Sequence, residues 1–128
     1  MKKKLTTQQK IRKLQKKADS LYHQIICKRF PKCLVCEVND SQCAHHFVRK
    51  SQSAELRYNF SNGINICAKC HTLHHRTGDP RIHDTIIRKK GTKWADELYK
   101  IKNKVNKQYK GIEYYENIIS NFERILNE

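Results

Sequence analysis

Residues 33–75 read CLVCEVNDSQCAHHFVRKSQSAELRYNFSNGINICAKCHTLHH, and the fold turns on how this stretch is read. Two Cys-x-x-Cys knuckles, Cys33/Cys36 and Cys67/Cys70, bracket the pair His45-His46, and the second knuckle runs directly into His71, His74 and His75. Each knuckle offers a chelating pair of thiolates, and two pairs complete one tetrahedral structural zinc site. The gap between the pairs is longer than in a compact zinc finger, which is what a functional hairpin inserted between the knuckles would produce. Imidazoles that leave a coordination position open suit a catalytic metal that polarises a phosphate. One segment therefore carries both a scaffold and a candidate for chemistry.

The 128-residue chain is only 38% hydrophobic, so the core it can build is small. A structural zinc offsets a small core, because metal binding contributes folding free energy directly. Six cysteines would also serve disulfides, but the chain opens on Met1 and three lysines and continues into a Gln/Lys-rich segment, with no apolar signal stretch. The expected compartment is the cytoplasm, where paired Cys-x-x-Cys motifs are more often zinc ligands than cystines. Nothing in the sequence approaches a membrane span. A formal charge of +15 makes a polyanion the expected partner, since so many cations can neutralise phosphates and release their counterions. Charge alone does not separate DNA from RNA.

Outward from the knuckles, the hydrophobic spacing predicts helices. Ile11, Leu14, Ala18, Leu21, Tyr22, Ile25 and Ile26 form a stripe over residues 6–27, with Thr6 or Thr7 as N-cap and Lys10, Arg12, Lys13, Lys16 and Lys17 on the opposite face. Phe30-Pro31 breaks this helix. Residues 42–48 read as a strand entering the histidine pair, 49–59 as a polar loop, Asn62-Gly63 as a turn, 64–66 as a second strand and 67–76 as a helix. Gly78-Asp79-Pro80 stops that helix and starts another to about Lys90, with Asp79 as N-cap. Trp94, Leu98, Ile101 and Val105 mark a further helix to about Tyr109. Ile112, Tyr115, Ile119, Phe122 and Leu126 form a short seam that packs on other helices or on a second subunit. The expected division is a basic N-terminal helix (1–30), a knuckle core (31–78) and a helical C-terminal region (79–128).

Among the remaining candidates, Cys27 and Cys43 suffice as small buried residues, although Cys43, two residues before His45, could enter a metal arrangement. His23 and His83 fall in helices away from the knuckles and read as structural. His71 and His75 are four apart on one helix and face the same way. His74 is turned from His75 by about 100° and could replace it as ligand or touch phosphate. Arg49, Lys50, Arg57 and Arg76 flank the motif as candidates for gripping phosphates, or equally as ordinary surface cations, Arg57 for instance pairing with Glu55.

In order and spacing, Cys33-x-x-Cys36, His45-His46, Asn62 and Cys67-x-x-Cys70-His71 resemble the ββα-metal site of HNH endonucleases. The run from Asn62 through Cys67 and Cys70 to His71 is similar to the family's asparagine, strand, knuckle and histidine, and the additional His75 resembles the colicin-type variant. The resemblance implies an α+β fold, a small zinc-stapled ββα-metal core with flanking basic α-helices. It also implies an endodeoxyribonuclease that hydrolyses phosphodiesters and leaves 5′-phosphate and 3′-hydroxyl ends. His46 would be the general base, and His45, His71 and His75 would hold a catalytic divalent metal, Mg²⁺, Mn²⁺ or another transition metal. Asn62 would span the hairpin and orient His46 through its carbonyl.

A wider resemblance runs over nearly the whole chain. Residues 16–22 (KKADSLY), Cys43-Ala-His-His-Phe47, Leu56-Arg57-Tyr58-Asn59 with Asn62, and the helical tail look like the NinG/Rap recombination proteins of lambdoid phages. This chain departs from that pattern with His45 in place of the usual glycine and His71 in place of asparagine, which makes its metal site more colicin-like. The resemblance implies cleavage of branched, Holliday-junction-like DNA, in a phage-infected or prophage-carrying bacterial cytoplasm, by a homodimer that cuts two strands. The competing expectations are a general nicking endonuclease of phage packaging or a mobile element, a non-catalytic zinc-ribbon DNA-binding module, and a nuclease directed at RNA.

Overall fold

The computed structural model describes residues 3–104 and 109–128. In chain order its elements are α1 (Thr7–Arg29), β1 (Cys43–His46), a 3-10 turn (Phe60–Asn62), β2 (Gly63–Ile66), α2 (Ala68–Thr77), α3 (Pro80–Lys90), α4 (Thr92–Asn103) and α5 (Ile112–Leu126). The chain is α+β, with one two-stranded antiparallel sheet. The first strand is shorter than the 42–48 expected from sequence, because beyond Phe47 its hydrogen bonds are taken over by the side chain of Asn62, which binds both the N–H and the carbonyl of Val48. The helix carrying Trp94 ends at Asn103, and Val105 lies outside the described residues. No described helix is long and apolar enough to cross a membrane.

The chain groups into two compact units, Met1–Ile25 with Lys107–Glu128, and Ile26–Asn106. This differs from the expected 1–30, 31–78 and 79–128 division. α3 and α4 belong with the knuckle segment because Ile82 and Ile86 of α3 are buried in one cluster with Cys33, Ile64, Ile66, Cys67 and Cys70.

In the first unit α1 begins with a reciprocal cap: Thr6 Oγ1 accepts from the Gln9 N–H at 3.1 Å, and Gln9 Oε1 accepts from the Thr6 N–H at 2.8 Å. Its stripe packs against α5. The Tyr22 and Phe122 rings lie 6.3 Å apart, Gln15 Nε2 donates to the Tyr115 hydroxyl at 2.8 Å, and Lys17 pairs with Glu123 at 3.2 Å. The seam residues Tyr115, Ile119 and Phe122 are thereby buried within the chain.

In the second unit the strand register pairs Cys43 with Ile66, Ala44 with Asn65, His45 with Ile64 and His46 with Gly63. Strand side chains alternate, so Cys43 and His45 share one face with Ile64 and Ile66, and His46 belongs to the other. Gly78 closes α2 in the left-handed conformation (φ 61°), which glycine adopts without a Cβ penalty, and Asp79 then caps α3 ahead of Pro80. Val48, Leu56 and Leu98 form a second cluster under α4, with Trp94 packed against it and its indole N–H donating to the Ser61 carbonyl at 2.9 Å.

Candidate metal centre

The first knuckle is a tight turn built against β2. Cys33 N–H donates to the Asn39 carbonyl and Leu34 N–H to the Asn65 carbonyl, each at 2.9 Å, while the Asn65 side chain donates to the Lys32 carbonyl at 2.7 Å. Glu37, just past Cys36, takes a positive φ of 60° to close the turn. Lys89 on α3 holds it in place through the Leu34 carbonyl and the Glu37 carboxylate. The second knuckle is the start of α2, where Cys67 is the N-cap and its sulfur accepts from the Cys70 N–H at 3.4 Å.

These two turns bring Cys33, Cys36, Cys67 and Cys70 together, with all four sulfurs within 4.8 Å of one another and Cys36 and Cys67 only 3.9 Å apart. Thiolates about 2.3 Å from a tetrahedral zinc stand about 3.8 Å apart, so the donor set fits the ion. All six cysteines are free thiols. The N–H groups of Asn39 and Val38 hold the Cys36 thiol down at about 6, whereas burial and the neighbouring sulfurs push Cys70 up. Four clustered sulfurs cannot all ionise unaided, and a dication removes that obstacle.

A second donor set lies on the face of β1 covered by α2. His45, His71 and His75 each present a ring nitrogen within 4.8 Å of the others. The ring centroids of His71 and His75 are 4.4 Å apart, and His45 is 5.3 Å from each. His45 is buried, and that burial, with the imidazoles of His74, His71, His75 and His46 around it, pushes it down to about 3. It therefore stays neutral with a lone pair to donate. His75 is exposed, so the cluster opens to solvent on one side. Three imidazoles suit zinc or another divalent transition metal.

His46, on the opposite face, is held by its backbone surroundings. Its Nε2 lies 2.9 Å from the Arg57 carbonyl, which can only accept, so this nitrogen carries the proton and the ring's basic lone pair is at Nδ1. The HNH resemblance implies that Asn62 orients His46 through its carbonyl. Asn62 accepts from the Val48 N–H at 2.7 Å through Oδ1, donates to the carbonyls of Val48 and Leu56 at 3.0 and 3.1 Å through Nδ2, and accepts at its backbone carbonyl from the N–H of Phe47, the residue after His46, at 3.0 Å. It fixes the loop whose next residue, Arg57, holds His46.

Of the candidate phosphate contacts, Arg49, Lys50 and Arg76 are exposed, while Arg57 is half-buried with its guanidinium 5.7 Å from the Tyr58 ring centroid. His74 lies beside the imidazole cluster, its ring 4.6 Å from His45 and its Nδ1 buried with no hydrogen-bond partner among the described residues. Burial, aided by His75, His83 and Arg49, lowers its pKa. Sequence reasoning left Cys43 unassigned, yet its sulfur sits 3.5 Å from His71 Nδ1. Period-two alternation with His45 was the signal that pointed there. Compared with protein-family models, curated proteins and solved structures, the chain has no significant match.

Proposed function

We propose that this chain is a metal-dependent DNA endonuclease of the HNH type, acting on branched, Holliday-junction-like DNA in phage recombination. One observation carries the reading: β1 and α2 bring three imidazoles together, His45 from the strand and His71 and His75 from the helix, and the residue after His45 is a histidine whose ring is fixed by a backbone carbonyl. A zinc-binding module without catalysis needs the four cysteines but neither of these.

In this reading His46 accepts the proton of the attacking water at Nδ1, while Arg57 keeps the ring in the required tautomer and Asn62 keeps Arg57 in place. Imidazole is the side chain suited to that transfer near neutral pH. His45, His71 and His75 would hold a divalent ion (Mg²⁺, Mn²⁺ or another transition metal), which would supply Lewis acidity and neutralise charge on the phosphate oxygens. Arg49, Lys50 and Arg76 grip flanking phosphates, and the products carry 5′-phosphate and 3′-hydroxyl ends. Cys33, Cys36, Cys67 and Cys70 hold structural zinc.

Junction resolution requires two cuts and hence a two-fold dimer, whose contact surface must lie outside the buried Tyr115, Ile119 and Phe122 seam. The test is cleavage of a labelled four-way junction beside its linear duplex arms, with Mg²⁺ or Mn²⁺. Symmetric junction cuts that disappear in His46→Ala are expected, with at least a hundredfold loss of rate. Equal cutting of junction and duplex would make the protein a general nicking enzyme. Cleavage that survives the loss of His46 would overturn the mechanism, and no metal-dependent cleavage of any DNA would overturn the function.

A further inference from the structure

The residue after His46 begins a run of rings that neither metal set uses. Phe47 stacks on His83 of α3, centroids 5.2 Å apart and planes at 12°. It also meets Trp94 at 4.7 Å and Tyr99 at 5.8 Å, both on α4. Trp94 has a structural task, its indole N–H bound to the Ser61 carbonyl and its ring packed on the core. Tyr99 does not share that environment: it is 39% exposed, and the Lys102 ammonium stands 5.9 Å from its ring centroid. His83, which the sequence alone gave only a structural role, lies close enough to His74 to act on it electrostatically, as does Arg49. The rings thus extend from the imidazole cluster, with Arg49 near His74, to an open edge beside Lys102.

We propose that Tyr99, braced from the core side by Phe47 and His83, offers a stacking face, the platform for an unpaired nucleobase of the DNA substrate, so that the site selects phosphodiesters beside unpaired nucleotides. This rests on the endonuclease reading and adds its substrate feature. Aromatic faces interleaved with cations are the chemistry that takes single-stranded nucleic acid, because every base has a π-face and the cations track its backbone. In a continuous duplex those faces are covered by neighbouring bases. At a branch point, bulge or flipped nucleotide they are available. The chain's charge of +15 makes the polyanion the fitting occupant.

The chain's single tryptophan, Trp94, sits against Phe47 and reports on the platform by fluorescence. The experiment uses zinc-loaded His46→Ala protein, which blocks cleavage, titrated at fixed salt with a short duplex and with the same duplex carrying a two-nucleotide bulge. The bulged DNA is expected to bind about tenfold tighter and to quench Trp94 where the duplex does not. Adding Tyr99→Ala should abolish that preference and leave duplex affinity unchanged, whereas Tyr99→Phe should keep it. Equal affinity for both DNAs, or a Tyr99→Ala loss that is the same on both, would overturn the platform. Binding is read without cleavage, so wild-type cutting of duplex DNA alongside a failed preference would remove the platform and leave the nuclease standing.

Discussion

Asn62 is fully buried, yet its side chain satisfies three backbone groups, the Val48 N–H and the carbonyls of Val48 and Leu56. Asn62→Ala leaves those groups without partners inside the fold, and each orphaned group costs roughly 1–3 kcal/mol. We expect a loss of about 3 kcal/mol in urea unfolding and, if the chain is the proposed nuclease, a fall in cleavage beyond it because the Arg57 carbonyl is released from His46. Asn62→Asp should fare no better, since it turns a carboxylate oxygen toward two carbonyl oxygens. A variant that kept both its midpoint and its activity would show that the Asn62 bridge is dispensable. Cys43 offers a test of the same kind. Its sulfur lies 3.5 Å from His71 Nδ1, where it would steady the ring in one orientation for a metal held by the imidazole set. Cys43→Val should weaken metal binding at the imidazole set by roughly tenfold, while Cys43→Ser, which retains a polar partner, should recover most of it. Calorimetric titration of zinc-replete protein separates this loss from the cysteine site, and unchanged affinity in Cys43→Val would refute the role.

At the scale of elements, the second knuckle and the helix it starts are one object. Cys67 serves as ligand candidate and as N-cap of α2, and α2 carries His71 and His75. If the four cysteines hold zinc as proposed, losing it should therefore disorder the helix that presents the imidazoles. Cys67→Ser, or chelation of the wild type, is expected to cost several kcal/mol, a drop of about 10 °C or more in Tm, with loss of helical circular dichroism. A chelated protein that melted at the same temperature would mean the cysteines stabilise without metal. How far this was legible in the sequence follows from what sequence encodes. The knuckles, the 7–29 helix and the Gly78-Asp79-Pro80 break were readable because spacing and capping are local properties of residue type. The hold on His46 was not, because the partner is a backbone carbonyl, and Arg57 contributes it from within a loop that reads only as polar. Nor was the grouping of α5 with α1. An apolar stripe says that a helix is covered without saying by what, and here the coverage joins residues about a hundred positions apart.

For the whole molecule, if the chain binds DNA as proposed, its charge of +15 makes that binding salt-dependent. Not every cation contributes: Lys17 is paired with Glu123 and Lys89 is bound to the first knuckle, whereas Arg12, Lys13 and Lys16 on α1 are exposed. Exposed lysines on a helix are often no more than a solvated face, so phosphate contact by α1 has to be measured through counterion release. Each phosphate neutralised on duplex DNA steepens the fall of log K with log salt by about 0.9. If Lys13 and Lys16 each meet a phosphate, Lys13→Gln with Lys16→Gln should flatten that slope by roughly 2. Affinity should fall equally for bulged and continuous duplex, because a phosphate contact reads charge without reading base exposure. Cleavage at saturating DNA should be unchanged, since the imidazole set and His46 are untouched. An unaltered slope would assign α1 to solvent and leave the phosphates to Arg49, Lys50 and Arg76. A loss confined to bulged DNA would instead show that α1 senses DNA shape, which its charge alone does not explain.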